Sequence, residues 1–401
     1  MSSVSLYCSE FTNENEVVSK LSSKLSLEVI TDADLIGLAS KKYSVAPNKM
    51  EHCMYKETSV FNKFTLERER CVSYFKAILA ESLTKNNCLY YGFISFVIPS
   101  EITHVLKVLV SDNKKYRTKI ASLEGFSEKE AGKLIKISDQ RIISWADFLC
   151  GKNAFDHSIH DIVIPASQIK ENGGFELIDT HFKSDNVLET DHSTQAVRDL
   201  QITGNVEYAL LENGHKVDVS VEKGHVLLQV NTSTFHFSKL TNRLTSIANA
   251  VNGVTGVEVR MGEGCRTSIY RDQKFELPPK VLLVDDEIDF VQTLSERLKI
   301  RNFGSHAVYD GQQALDFIQE DDPDVMVIDL RMPGINGIDV LRQVKQTNPH
   351  IEVIILSGHG SLEDEQACME LGAFSFLHKP ADLEKLSETI KAAYAKIDDN
   401  K

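Results

Sequence analysis

The chain has 401 residues, 42% of them apolar and 25% charged, a balance that supplies buried cores and excludes wholesale disorder. Its formal charge of −14 is uneven: residues 280–401 hold 23 acidic against 12 basic side chains, so −11 lies there and only −3 in the first 279 residues. Such an acidic chain is a poor partner for nucleic acid gripped through its phosphates. At about 150 residues per domain, the length implies two to three domains.

The seven cysteines (Cys8, Cys53, Cys71, Cys88, Cys150, Cys265 and Cys368) are scattered and odd in number, which points to reduced thiols and supports neither a zinc site nor a disulfide framework. The first ten residues lack a basic region followed by an apolar run, so no export signal is expected and the location is read as cytoplasmic. The longest apolar-rich stretch, Cys88–Pro99, is about a dozen residues where a membrane helix needs about 20; it reads as a buried strand.

In chain order, Val4–Cys8, Leu27–Ile30, Cys88–Phe93, His104–Val110 and Asp161–Ile164 are short apolar strands, and Arg68–Leu83 is a long amphipathic helix. This alternation predicts an α/β domain over residues 1–180 with a largely parallel sheet. Residues 181–198 turn polar and lose their period, which predicts a linker. Residues 199–262 hold a helix-like start, strands Lys216–Val221 and His225–Val230 around a Glu222-Lys223-Gly224 turn, a helix from Phe237 to Val251 and a closing strand Gly256–Met261. That is a small α+β module. A second linker, 263–279, ends at Pro278-Pro279, where two prolines stiffen the chain. Residues 280–397 then repeat strand and helix five times: Lys280–Asp285, Gly304–Val308, Val325–Asp329, Val353–Ser357 and Ser375–His378, a doubly wound sheet.

In this last domain the strand ends carry the chemistry. Strand one ends in Val284-Asp285-Asp286-Glu287, strand three in Ile328-Asp329, strand four in Leu356-Ser357-Gly358, and strand five runs into His378-Lys379-Pro380. A parallel sheet brings all four ends to one edge, where crowded carboxylates repel unless a cation joins them, and hard oxygen ligands suit Mg²⁺. An aspartate beside that cation and a lysine can attack a phosphoryl group. One Asp-Asp pair alone would more often be a helix cap, but here several strand ends agree.

These residues resemble the CheY-like receiver domain of bacterial response regulators over about Val281–Lys396. The resemblance implies that Asp329 is the phosphate acceptor and that Asp285 and Asp286 hold Mg²⁺ with Asp329 and the Arg331 carbonyl. It also makes Ser357 the switch hydroxyl, Lys379 the partner of the phosphoryl group and Phe376 the aromatic switch residue, with Met332-Pro333-Gly334 and Gly337 forming the turn after the acceptor. Ser and Phe are alternatives the family uses at the switch positions. A dehalogenase-like phosphatase needs a second acidic residue two positions after the nucleophile, and Arg331 stands there.

The first domain resembles the cytidylate kinase-like family of P-loop proteins. The residues that carry this include Leu6–Glu10, Leu27–Ile36, Tyr91-Gly92-Phe93, Glu101–Val105, Asp112 with Tyr116-Arg117, Phe126–Ala131, Asp139 with Arg141, and Asp156 through Ile164. The family's first loop is glycine-rich because backbone amides must approach phosphates closely. Here it is Phe11-Thr12-Asn13-Glu14-Asn15-Glu16, with no glycine, no lysine and two carboxylates. An inactive kinase-like domain is therefore expected, with Arg117 and Arg141, and Lys119 beside them, at places where such kinases bind phosphate; solvated arginines on a helical lid are the plainer reading of these basic residues. The middle module resembles a BON-type fold, a binding or oligomerising element, and His215, His225 and His236 lack ligand spacing.

Together these readings describe a two-component response regulator whose receiver controls a kinase-like effector or docking module. The alternative is an active nucleoside monophosphate kinase regulated by the receiver. The implied partners are a sensor histidine kinase or phosphotransfer protein, an unnamed downstream protein and a second copy in a homodimer; neither nucleic acid nor membrane insertion is expected.

Overall fold

In the first strand, β1 (Ser3–Cys8), alternate side chains go to opposite faces, so an apolar run there needs helices on both sides. The computed structural model supplies them. It describes residues 2–169, 173–231, 237–262, 278–358, 361–380 and 382–399. They fall into two units: Met1–Glu57 with Glu67–Phe275, and Thr58–Leu66 with Glu276–Lys401.

In the first unit β1 is followed by α1 (Glu14–Leu25), β2 (Glu28–Thr31), α2 (Asp32–Tyr43) and α3 (Pro47–Tyr55). The short α4 (Asn62–Thr65) belongs to the other unit. The first unit resumes with α5 (Glu67–Leu83), β3 (Cys88–Tyr91), β4 (Val105–Ser111), α6 (Lys114–Leu123), α7 (Glu128–Cys150), β5 (Ile162–Pro165) and α8 (Gly174–Phe182). The five strands form a parallel sheet in the order β2-β3-β1-β4-β5. Val4, Leu6 and Cys8 pack with Val17 and Leu21 of α1 and Ile178 of α8, whereas Tyr7 joins Phe75 and Trp145 on the opposite face.

The stretch expected to be one long strand, Cys88–Pro99, is corrected: β3 stops at Tyr91, and residues 93–97 form a 3-10 turn. Gly92 makes the break at φ 118°, where a Cβ would lie within 2.3 Å of the Asp32 carboxylate. The expected linker 181–198 is also corrected, because α9 (Asp191–Glu212) begins within it, capped by Thr190. Gly204 lets α9 lie close on α5: a Cβ there would stand 2.7 Å from Ala77 N and Ser73 O. The middle module therefore shares a unit with the first sheet. It continues with β6 (Asp218–Glu222), β7 (His225–Val230), α10 (Phe237–Asn249) and β8 (Gly256–Met261), with β6-β7 antiparallel and β7-β8 parallel. Of the expected second linker, 263–279, only Pro278 and Pro279 are among the described residues, as is none of Cys265 or His236.

The second unit contains β9 (Lys280–Val284), α11 (Ile288–Ile300), β10 (Gly304–Val308), α12 (Gly311–Glu320), β11 (Val325–Ile328), α13 (Gly337–Thr347), β12 (Glu352–Ser357), α14 (Leu362–Glu370), β13 (Ser375–His378) and α15 (Leu383–Asp399). Its sheet is parallel throughout, in the order β10-β9-β11-β12-β13. Leu282, Val284, Met326 and Ile328 face α12 and α13, and Val281, Leu283, Val325 and Val327 face α11 and α15. Burial on both faces makes these strands unbroken apolar runs, and polarity begins only where they end.

Candidate functional site

The carboxyl ends of β9 and β11 are adjacent, since Val284 pairs with Ile328. That is where strand order reverses in this sheet and where ligands of doubly wound sheets sit. Asp285 and Asp329 follow directly, both nearly buried, and the Asp329 amide donates to the Val284 carbonyl at 2.9 Å. From the far side, β13 delivers Lys379. Its Nζ lies 2.7 Å from Asp285 Oδ2, 2.9 Å from Asp329 Oδ2 and 2.9 Å from Glu287 Oε1. Carboxylate oxygens of Asp285, Glu287 and Asp329 lie within 4.8 Å of one another.

Three carboxylates against one ammonium leave two negative charges uncompensated, and this hard-oxygen set fits a divalent cation such as Mg²⁺. The electrostatics carry the same imprint. Burial, aided by the Asp329 charge, pushes the Asp285 carboxyl above its usual range although Lys379 pulls the other way. Desolvation acts to lower the Lys379 ammonium, but its hydrogen bonds to Asp285, Glu287 and Asp329 prevail and raise it.

The residues expected at the metal are not all brought together. Asp286 is exposed and outside the cluster among the described residues, and Glu287 stands in it instead. The sequence put Glu287 in the same acidic run; its amide donates to Asp285 Oδ1 at 2.9 Å, and its largely exposed carboxylate reaches Lys379. Arg331 has an exposed side chain, and its amide donates to Asp329 Oδ1 at 3.4 Å. Gly337 permits the turn after the acceptor, since a Cβ there would lie 2.2 Å from the Asp329 carbonyl oxygen.

Ser357 ends β12 beside these strands, and its buried Oγ has no hydrogen-bond partner among the described residues. A buried hydroxyl left unpaired costs about 1 to 3 kcal/mol, so it is a donor with a vacancy to fill. The Lys379 amide donates to the Ser357 carbonyl at 3.0 Å, tying the serine to the lysine. Phe376 is half-buried on β13 opposite Ile355, with its ring edge-on to His378 at 5.3 Å.

In the first unit, the loop after β1 is occupied by its own side chains. Phe11 and Asn13 hold left-handed φ values of 60° and 57°, a conformation that favours glycine, yet they carry side chains. Phe11 is 3% exposed and packs with Ile120, Ala131 and Ile135 under the α6–α7 hairpin, edge-on to Phe126 at 5.4 Å. The Thr12 amide donates to Glu14 Oε2 at 3.2 Å, so a carboxylate of the chain takes a donor that a phosphate would need. Burial and the neighbouring Glu14 charge push Glu10 upward.

Arg117, expected to face phosphate, is buried instead. Its Nε donates to the Glu10 carbonyl at 2.8 Å and its Nη1 to Asp139 Oδ2 at 2.9 Å. Arg141 and Lys119 are exposed on the hairpin. Among the described residues, no helix is long and apolar enough to cross a membrane.

Comparison with known proteins agrees with this division. Residues 281–391 match the response regulator receiver domain, and residues 12–168 match the cytidylate kinase-like family. Sporulation initiation phosphotransferase F of Bacillus subtilis is 32% identical over 112 residues, which are 28% of this chain and 90% of that protein. Response regulator MprA of Mycolicibacterium vanbaalenii is 32% identical over 116 residues, 29% of this chain, and the chain spans only 50% of its length. Among solved structures, the signal receiver domain of a putative LuxO repressor from Vibrio parahaemolyticus is 29% identical, with a TM-score of 0.30 over 30% of this chain and 94% of that one. Through residues 281–391, with the acidic pocket on its β9–β11 edge, the chain belongs to the response regulator receiver family, and residues 12–168, ahead of that receiver, are similar to the cytidylate kinase-like family.

Proposed function

We propose that this two-component response regulator takes a phosphoryl group on Asp329 from a histidine kinase or phosphotransfer protein, and that the kinase-like domain is a docking or effector module without turnover. The observation that carries the reading is Lys379, whose Nζ spans Asp285 and Asp329 at 2.7 and 2.9 Å. An Asp329 carboxylate oxygen attacks phosphorus, the new O–P bond forms as the donor's P–N or P–O bond breaks, and the donor leaves with the electron pair. Bound Mg²⁺ would be held by Asp285, Asp329 and Glu287 and would supply neutralisation of the phosphoryl charge. Lys379 then follows the phosphoryl oxygens, and Ser357 Oγ gains the acceptor it lacks, a charge-assisted bond of about 1.5 to 3 kcal/mol that is enough to bias a two-state receiver. Phe376 turns inward as the serine moves.

The test is labelling of the full chain with acetyl phosphate. Label is expected to need Mg²⁺, to be lost in Asp329→Asn and to be released by hydroxylamine, as an acyl phosphate is. Label that persists in Asp329→Asn or in excess chelator refutes the reading. Ser357→Ala should take label yet fail to change amide exchange in β12, β13 and α15. For the first unit, the self-capped Thr12 amide and the buried Phe11 support inactivity. Transfer of phosphate from ATP to CMP above a blank, lost in Arg141→Ala, would overturn that part and favour a regulated kinase.

A further inference from the structure

The second unit contains nine residues from far upstream, Thr58–Leu66, with the receiver. Their seating is specific. Asp321, 7% exposed at the end of α12, accepts the Ser59 hydroxyl at 2.8 Å and the Val60 amide at 3.1 Å on the same oxygen, Oδ2. Phe61 is 0% exposed and stands edge-on to Phe317 of α12 at 5.9 Å and to His306 of β10 at 6.5 Å, while these two rings stack on each other at 5.0 Å. Phe64 lies over Gly304 at the start of β10, where a Cβ would come within 3.3 Å of the Phe64 ring. Behind Phe61 the segment closes into α4, its carbonyl accepting the amides of Phe64 and Thr65 at 2.8 and 3.1 Å.

We infer that the β10–α12 face of the receiver is a docking site and that its partner is this chain's own segment 58–66. A buried carboxylate needs donors and a fully buried phenyl needs a pocket, and each element supplies what the other lacks. In sequence the segment stands between α3 and α5, far upstream of β9. The site occupies the β10 edge of the sheet, and β12 and β13, which carry Ser357 and Phe376, are toward the opposite edge. Docking therefore leaves the acceptor pocket and the switch edge open, and it closes the β10–α12 face to external partners. This inference stands on packing and does not depend on Asp329 taking phosphate.

Amide hydrogen exchange on the full chain tests it. In the unaltered protein the Val60, Phe64, Thr65 and Leu66 amides should be protected; exchange at free-chain rates would overturn the inference. Phe61→Ala should speed exchange in 58–66 and in the facing β10 and α12 by about tenfold or more, leaving β11 and β12 unchanged. No change, or equal acceleration of every receiver strand, would overturn it, the latter by making Phe61 ordinary core. Asp321→Asn, which keeps shape and weakens two charge-assisted bonds, gives the same readout should Phe61→Ala fail to fold. Unchanged exchange of the β11 and β12 amides serves as the control that both variants retain the receiver fold.

Discussion

Replacing Lys379 by alanine removes the ammonium from between Asp285, Glu287 and Asp329. Glu287, with its side chain 65% exposed, can turn to solvent, but Asp285 and Asp329, at 5% and 9%, cannot. Their oxygens lie within 4.8 Å, where two unit charges at an effective dielectric near 20 repel by at least about 3.5 kcal/mol. Protonation of one carboxyl, which burial already favours at Asp285, caps that cost. A loss of about 3 kcal/mol is therefore expected in chelator, at the low end for breaking a buried ion pair. Magnesium ion at about 100 times its Kd adds about 2.7 kcal/mol to any state that binds it, and the variant's freed carboxylates should bind it more tightly than the unaltered site. Most of the loss should thus return with Mg²⁺. The assay is urea unfolding of the receiver followed by circular dichroism. Trp145, the single tryptophan, is in the first unit and gives an internal control. A variant whose receiver is as stable as the unaltered one in chelator, or whose loss is untouched by saturating Mg²⁺, refutes the account of the pocket.

Three further outcomes follow from buried groups. Asp32 accepts the Phe93 and Ile94 amides and the Tyr55 hydroxyl, yet burial outweighs these bonds and raises its carboxyl to about 6 from 3.8. The folded state then holds the proton more tightly than the unfolded one, so this stability is present below about pH 4 and fades by about 3 kcal/mol as pH rises through 6; Asp32→Asn should remove that slope from unfolding followed by Trp145 fluorescence, and an unchanged slope would reject the assignment. Gly204→Val forces a side chain against Ala77 N and Ser73 O at the α5–α9 crossing and should cost the first unit about 1 to 3 kcal/mol in the same unfolding assay. Gly337→Ala presses on the Asp329 carbonyl and should slow acetyl phosphate labelling while leaving the Trp145 transition where it was.

The strands were legible because those of both parallel sheets are buried on their inner faces: Val281–Val284 and Val325–Ile328 read as apolar runs ended by the aspartates that matter. Other features left no such mark. Residues 191–198 looked like a linker because only Ser193 and Val197 of these two turns of α9 are buried, too few to show a period. The break after β3 depends on Asp32, sixty positions upstream of Gly92, and no local pattern carries it. Segment 58–66 is irregular by itself; its reason for burial is Asp321, His306 and Phe317, more than 240 positions away. Of the site, Asp285, Asp329, Ser357 and Lys379 followed from strand ends alone. That Glu287, and not Asp286, stands in the carboxylate cluster beside Lys379 did not follow from the sequence.

The two sheets treat charge differently at the carboxyl ends of their strands. At the receiver edge the carboxylates outnumber their cation, and the Ser357 hydroxyl has no hydrogen-bond partner among the described residues. A divalent cation and a phosphoryl group would meet both deficits together. After β1 of the first sheet, Glu14 takes the Thr12 amide, the Glu10 carbonyl and Asp139 take Arg117 Nε and Nη1, and Phe11 fills the space, while the buried Arg117 Nη2 has no hydrogen-bond partner among the described residues. Restoring a phosphate cradle there would require glycine at the two left-handed positions and also the removal of Glu14 and the release of Arg117. A single substitution does not supply all of these together, since each remaining carboxylate would still oppose an anion.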